Sequence, residues 1–365
     1  MVRKDPRQRS GAAFAATAPR ATRPQTTREE RLAAKARRWS EPIRIHLINS
    51  SDIESNWFVP GELEGRAAAA LSGTRRVAVT TSDDPLTVTP AMRDADVLVG
   101  FRLPTPGIRE LPKLRWIHLV SAGADHLLPF DWLPPRVRLS NSSGVHAELA
   151  GEYACAALLM LNARMPVHVT NQRRGHWEQV FNDPIRGKTV VVVGLGAIGG
   201  EVAHRARDLG LRVLGVRRSR RPHPRVDEVY GPSDLTTLLP QAAMVVVTAP
   251  LTLETRHLIG PKELDLLPRG AGLVNMSRAG VVDYGALAER LETGALGGAV
   301  IDVCDPEPLP SHSPLWHVRN LIITPHISPD PTDYVERMSV IFLDNFVRLV
   351  DGRPLRNRVH PGRGY

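Results

Sequence analysis

The chain has 365 residues, 42% hydrophobic and 23% charged, with a formal net charge of +9, and that length suits two ordinary domains, each with its own core. No apolar stretch is long enough to span a bilayer, and Cys155 and Cys304, far apart in the chain, suit neither a disulfide framework nor a metal site, so a cytoplasmic protein without a metal is expected. The excess charge belongs to residues 1–40, where eleven Lys and Arg face three acidic residues; this leaves the body near +1 and argues against a nucleic-acid groove.

Residues 1–40 are rich in Ala, Arg, Thr and Pro, have no periodic apolar face, and read as a disordered basic tail. They lack the apolar core of a secretory signal, and Asp5 with the missing amphipathic pattern counts against a transit peptide. A solvated tail is the reading, with targeting and polyanion binding as alternatives. From Ile43 onward, strand-length runs alternate with helical stretches: IRIHLIN (43–49), RRVAVT (75–80), DADVLVG (94–100), LRWIHLVS (114–121) and RVRLS (136–140). Such alternation predicts a parallel sheet covered on both faces. From Ala147 to Arg164, apolar residues at helical spacing and many small residues predict one long, well-buried helix.

A second series follows: TVVVV (189–193), RVLGV (212–216), AAMVVVTAP (242–250), GLVNMS (272–277), GAVIDVC (298–304) and NLIITP (320–325). Helical segments between them, including IGGEVAHRARDLG and YGALAERLETG, make this a doubly wound α/β sheet. After His326 the amphipathic stretch at 333–352 is too short for another domain and is expected to pack back on one of the two.

The turn from the first of these strands carries Gly194, Gly196 and Gly199 and opens a helix, the context that a dinucleotide-binding fingerprint requires. Gly194 permits the tight turn, Gly196 lets backbone approach a pyrophosphate, and Gly199 lets helix and strand touch. The helix start, with Ala197 and Ile198 in its first turn, offers free N–H groups and a positive dipole end to phosphates. At the end of the next strand, where an acidic residue would bind a ribose hydroxyl, stand Arg217 and Arg218, then Arg220 and Arg221. A guanidinium pairs with a 2′-phosphate where a carboxylate would repel it, so NADP(H) is favoured over NAD(H). A solvated basic loop is the plain alternative.

Three later segments, NMSRAGVVD (275–283), IDVCDPEPLP (301–310) and ITPHIS (323–328), fall at the ends of successive strands. Together with the glycine turn they resemble the D-isomer-specific 2-hydroxyacid dehydrogenases, which include glyoxylate/hydroxypyruvate reductases, D-lactate dehydrogenase and phosphoglycerate dehydrogenase. The resemblance covers roughly residues 43 to 355. It implies two Rossmann-like domains, the doubly wound dinucleotide-binding domain being inserted into a flavodoxin-like substrate domain. The boundaries expected are 41–147 for the first part of the substrate domain, 148–325 for the NAD(P)-binding domain and 326–365 for the return segment.

The resemblance further implies that Arg278 clamps the substrate carboxylate and carbonyl, that His326 is the acid/base, and that Glu307 is its partner. It places Asp302 near the nicotinamide carboxamide, and Thr248 and Pro250 along the cofactor. Ser121, Ala122 and Gly123, in SAGAD (121–125), would hold the substrate carboxylate through backbone N–H groups. A homodimer is implied, through the helix at 147–164. Two positions depart from the family pattern: Ala279 follows the arginine where glycine is usual, with strain expected if that position needs positive φ, and Cys304 stands where an aromatic is common and is read as packing.

The chemistry wants these residue types on its own account. Reducing a 2-keto acid puts hydride on C2 and a proton on the developing alkoxide, which a histidine can deliver near neutral pH. A neighbouring carboxylate favours the protonated form of such a histidine, and a guanidinium holds the anionic substrate. Glyoxylate or hydroxypyruvate is the expected substrate. Arg102 leaves room for a bulkier acid, as in phosphoglycerate dehydrogenase-like enzymes, and the cofactor loop disfavours formate dehydrogenase. A dinucleotide-sensing corepressor of the same fold is the alternative outside catalysis.

Overall fold

A computed structural model of the chain describes Trp39 and residues 42–49, 60–328 and 333–363; the basic segment 1–40 thus lies, apart from Trp39, outside the described residues. In the first sheet the strands are β1 (Ile43–Ile48), β2 (Val77–Ser82), β3 (Val97–Gly100), β4 (Trp116–Leu119) and β5 (Arg138–Asn141), all parallel, in the order β2-β1-β3-β4-β5. Every residue of β3 and β4 is buried, so neither run alternates: β3 is apolar throughout, and β4 is apolar except for His118. Helix α1 (Pro60–Ala70) lies against β2.

The second sheet holds β6 (Thr189–Val193), β7 (Arg212–Val216), β8 (Glu228–Tyr230), β9 (Met244–Val247), β10 (Gly272–Asn275), β11 (Gly298–Ile301) and β12 (Leu321–Ile323), in the order β12-β11-β10-β9-β6-β7-β8. All its pairings are parallel, and strand order reverses between β6 and β9, the switch point beside which ligands bind in open α/β sheets. Successive residues of β6 serve opposite faces. Val191 and Val193 join Leu214, Leu273, Ile301 and Leu287 in one core, whereas Val190 and Val192 join Val213, Val246, Val274 and Val300 in the other. Helices α2 (Ala147–Asn162), α3 (Met165–Arg173), α4 (Ala197–Asp208) and α5 (Tyr284–Glu292) accompany this sheet. Ala154, Ala157 and Leu158 of α2 meet Val202, Ala203 and Ala206 of α4 in the second core. A Cβ on Gly151 would come within 2.6 Å of the Glu201 side chain, so a small residue is what permits the approach.

The chain then returns to the first sheet. In α6 (Tyr334–Val350), Phe342 stacks on Trp116 with ring centroids 5.1 Å apart. Farther on, the N–H of Val359 donates to the oxygen of Leu139 at 2.9 Å, and Arg358 bridges antiparallel to Ser140. Among the described residues no helix is long and apolar enough to cross a membrane.

Four details differ from the sequence reading. The helix expected to run from Ala147 to Arg164 ends at Asn162, because Arg164 adopts left-handed backbone (φ 54°) and Pro166 opens a separate helix. That helix is buried on one face only; Leu159 is 43% exposed. The edge strand β8 was not anticipated, its three residues Glu-Val-Tyr being too few for a periodic signal. Finally, Ala279 is not among the residues with positive φ and starts a short 3-10 turn, so the strain expected there is absent.

Candidate active site

Register places the site. The last residues of six strands form one row across the second sheet: Val216, Val193, Val247, Asn275, Ile301 and Ile323. The residue after each is Arg217, Gly194, Thr248, Met276, Asp302 and Thr324, so four of the positions singled out from sequence stand on one line at the carboxyl ends of parallel strands.

At the glycine turn, Gly194 takes φ +106°, and a Cβ there would lie 2.6 Å from the Ala249 nitrogen. A Cβ on Gly199 would fall 1.8 Å from the Gly194 oxygen, whereas one on Gly196 would meet nothing within 4 Å. Gly194 and Gly199 are thus demanded by the fold, while Gly196 leaves bare backbone beside open space at the start of α4. The first N–H groups of that helix, those of Ala197 and Ile198 among them, have no partner within it. This arrangement fits the pyrophosphate of a dinucleotide. Thr248 ties the turn to β9 by donating to the Gly194 oxygen at 2.6 Å, and Pro250 lies just beyond, its oxygen accepting from Thr255 at 2.6 Å. Arg217 is half-buried, its N–H donating to the Tyr230 oxygen at 2.9 Å. Arg218 is exposed, 3.9 Å from the Glu254 carboxylate.

His326 and Glu307 come together. Nδ1 of His326 is 2.8 Å from Oε2 of Glu307, while Oε1 accepts the N–H of Cys304 at 2.8 Å. Because a carboxylate only accepts, Nδ1 carries the proton and Nε2 is left for another partner. His326 itself sits in left-handed backbone, φ 56°, a conformation that its surroundings must maintain. Asp302 does so from both sides: Oδ1 accepts Thr324 Oγ1 at 2.5 Å and the Ile327 N–H at 3.0 Å, and Oδ2 accepts the Ser328 N–H at 2.9 Å. Asp302 is fully buried, its carboxylate engaged with the histidine segment. Tyr153 of α2 completes the chain through Thr324 at 2.6 Å; burial, above all, pushes its hydroxyl up to about 12.

Arg278 is held from the other sheet. Its Nε and Nη2 donate to the two oxygens of Asp125 at 3.2 and 3.3 Å. Its backbone oxygen accepts from Asn275 Nδ2 at 3.2 Å; the same amide donates to Tyr284, whose hydroxyl donates to the Val303 oxygen at 2.7 Å. In the SAGAD loop, Ser121 Oγ donates to the Gly123 oxygen at 2.7 Å and the Ala122 oxygen accepts from Asn141 Nδ2 at 2.7 Å. Cys304 packs partly buried on the core, and burial, with the charges of Glu307 and Asp302, pushes its thiol up. Sequence reasoning missed Asp125, Tyr153, Asn275, Tyr284 and Thr324 as partners of these groups. Asp125, Asn275, Tyr284 and Thr324 lay within quoted motifs or segments, but nothing in a motif tells which distant side chain it will meet. Among the described residues no cluster of His, Cys, Asp or Glu could hold a metal ion.

Comparison with known proteins agrees with this geometry. Residues 155–328 match the model for the NAD binding domain of D-isomer specific 2-hydroxyacid dehydrogenases. The chain is 32% identical over 282 residues to glyoxylate reductase of Korarchaeum cryptofilum (74% of this chain, 84% of that protein). It is 30% identical over 292 residues to glyoxylate/hydroxypyruvate reductase B of Yersinia enterocolitica (77% and 89%). Among solved structures, a D-isomer specific 2-hydroxyacid dehydrogenase from Xanthobacter autotrophicus, in complex with NADPH and MES, superposes with a TM-score of 0.76 at 27% identity, over 89% of this chain and all of that one. The chain therefore belongs to the D-isomer specific 2-hydroxyacid dehydrogenase family of oxidoreductases.

Proposed function

We propose that the protein reduces small 2-keto acids of the glyoxylate/hydroxypyruvate kind to D-2-hydroxy acids, with NADP(H) preferred. The observation that carries the reading is the His326–Glu307 pair at 2.8 Å, which keeps Nε2 free for a substrate, where the protonated ring can donate, on the same carboxyl edge of the sheet as the glycine turn. Residues 148–325 hold the cofactor, with residues 41–147 and 326–365 forming the substrate domain. The glycine turn and the first turn of α4 take the pyrophosphate, and Arg217 with Arg218 takes the 2′-phosphate. A bound nicotinamide dinucleotide supplies hydride chemistry at the substrate's C2. Arg278 binds the substrate carboxylate and polarises the carbonyl, aided by backbone N–H groups of Ser121–Gly123. His326 donates a proton from Nε2 to the developing alkoxide, and Glu307 offsets the charge that the ring carries before donation.

The reading is supported by the names of the similar reductases and by the NADPH of the Xanthobacter structure. Oxidation of NADPH and of NADH is to be followed with glyoxylate, hydroxypyruvate, pyruvate and a bulkier 2-keto acid. Turnover of the two small acids at a higher kcat/KM with NADPH is expected. No turnover with any 2-keto acid would leave the binding-module alternative standing instead.

A further inference from the structure

Arg278 carries five N–H donors on a planar guanidinium. Nε donates to Asp125 Oδ2 at 3.2 Å, Nη2 to Asp125 Oδ1 at 3.3 Å, and Nη1 to the Ser277 oxygen at 2.8 Å. One N–H on Nη1 and one on Nη2 remain. Asp125 touches neither hydrogen of Nη1, so the outer fork, the Nη1–Nη2 edge whose spacing suits two oxygens of a single anion, keeps donors on both nitrogens. Asp125 therefore takes the inner edge of the guanidinium and leaves the outer one open.

The pair joins the two halves of the molecule. Asp125 follows β4 of the first sheet, Arg278 follows β10 of the second, and the two are 153 residues apart in sequence. Burial pushes the Asp125 carboxyl up, but the charge and hydrogen bonds of Arg278 outweigh that and, with a smaller contribution from His126, hold it below the usual range, so it is anionic at neutral pH. The loop is shaped for the contact. A Cβ on Gly123 would sit 2.7 Å from Asp125 Oδ1 and 2.8 Å from Arg278 Nη2, closer than side chains stand. Both partners stay partly open to solvent, Arg278 at 38% and Asp125 at 36%, so an incoming acid can reach the guanidinium without breaking the pair.

We infer that Asp125 is a positioning residue for substrate binding: it grips the inner edge of Arg278 from the opposite sheet and thereby aims the outer fork at the carboxylate of a 2-keto acid. This rests on the reading of Arg278 as the substrate clamp. Were Asp125 a rival of the substrate, it would occupy the outer fork; the donor count assigns it the other edge.

The test is Asp125→Asn, which keeps the shape but turns one acceptor into a donor facing Arg278. KM and kcat for hydroxypyruvate, the inhibition constant of oxalate, NADPH affinity by fluorescence, and the melting temperature are measured. Removing a bidentate charged contact should raise both KM and the oxalate constant at least about tenfold, with a smaller fall in kcat and with NADPH affinity and melting temperature as in the parent. Unchanged KM and oxalate affinity would overturn the inference. So would tighter binding, the mark of a rival, or a parallel loss of NADPH affinity, the mark of a general structural role. If Asp125→Asn does not fold, Gly123→Ala crowds the same pair and must give the same pattern. Failure of the underlying reading looks different: a parent inactive with every 2-keto acid, or an Arg278→Ala enzyme with unaltered KM.

Discussion

His326 meets Glu307 through Nδ1 at 2.8 Å, although the two leave the sheet from different strands: Glu307 belongs to the loop after β11 and His326 to the segment after β12. The second oxygen of Glu307 is held by the N–H of Cys304, so the carboxylate is fixed by its own loop before it fixes the ring. Glu307→Gln keeps the size and loses the charged acceptor that orients the ring. Keto-acid reduction should then slow, while NADPH affinity stays as it was. An unchanged rate would show that Glu307 does not serve His326. His326→Ala, which removes the donor itself, should lower kcat by roughly 10²–10⁴ with cofactor binding retained.

The glycine turn allows two kinds of damage to be separated. Gly199→Ala puts a methyl 1.8 Å from the Gly194 oxygen, an overpacking expected to destabilise by about 1–3 kcal/mol and to weaken NADPH binding with it. Gly196→Ala meets no protein atom within 4 Å and should leave the unfolding midpoint unchanged while still weakening NADPH, because the added methyl occupies the approach to the backbone. Calorimetry and fluorescence titration of the two variants check this; equal stability losses would contradict it.

We propose that Arg217 and Arg218 set the choice of cofactor. On that proposal, replacing them with Asp and Ala would remove charge-assisted hydrogen bonds to a 2′-phosphate worth about 1.5–3 kcal/mol each, so NADPH affinity should fall at least tenfold more than NADH affinity. Equal losses for both would remove the 2′-phosphate from this loop.

Acid should weaken the first sheet through two buried histidines. His118 bonds Ser140 at 2.9 Å and Ser142 at 3.1 Å, and His46 bonds Thr80 at 2.8 Å and Ser82 at 3.0 Å. Burial lowers His118 from 6.5 to about 3 and His46 to about 4. Between those values and 6.5 the unfolded chain binds protons that the folded chain does not, so stability is complete above about 6.5 and falls as the pH drops below it. The slope is up to about 1.4 kcal/mol per pH unit for each ring. Urea unfolding followed by tryptophan fluorescence at pH 7 and pH 5 should show the loss, and His118→Gln should reduce it. A drop undiminished in that variant would clear His118.

Self-association is proposed through the α2 region and the segment after α3. Leu159 and Met165 are 43% and 42% exposed, and Trp177 and Phe181 reach 87% and 89%; large apolar and aromatic side chains of this kind are what interfaces bury. Sedimentation of the parent should give a dimer, and Trp177→Ser with Phe181→Ser should shift it to monomer; a monomeric parent would dismiss the pairing.

Much of this architecture was legible because parallel strands buried on both faces are almost continuously apolar, and VVVV (190–193), AAMVVV (242–247) and GLV (272–274) are. His326, Glu307 and Arg278 were legible as an ordered set of motifs. What surrounds them was not. The reach of Asp125 to Arg278 depends on how two sheets face each other, and the attachment of Asp302 to the amides of Ile327 and Ser328 depends on a loop path that no periodicity encodes. The break at Arg164 had one local sign, Pro166 two residues later, but left-handed backbone at an arginine has no compositional mark.

The row of strand ends behaves as a ruler. Since Arg217, Gly194, Thr248, Asp302 and Thr324 are each one step past the same line, a single inserted residue in any of those strands would advance its reader by about 3.3 Å and turn it to the opposite face. Length errors within the strands are therefore far more damaging than replacements at the ends. Chemistry on this scaffold can be rewritten by changing the letter at a graduation, never by moving the graduation itself.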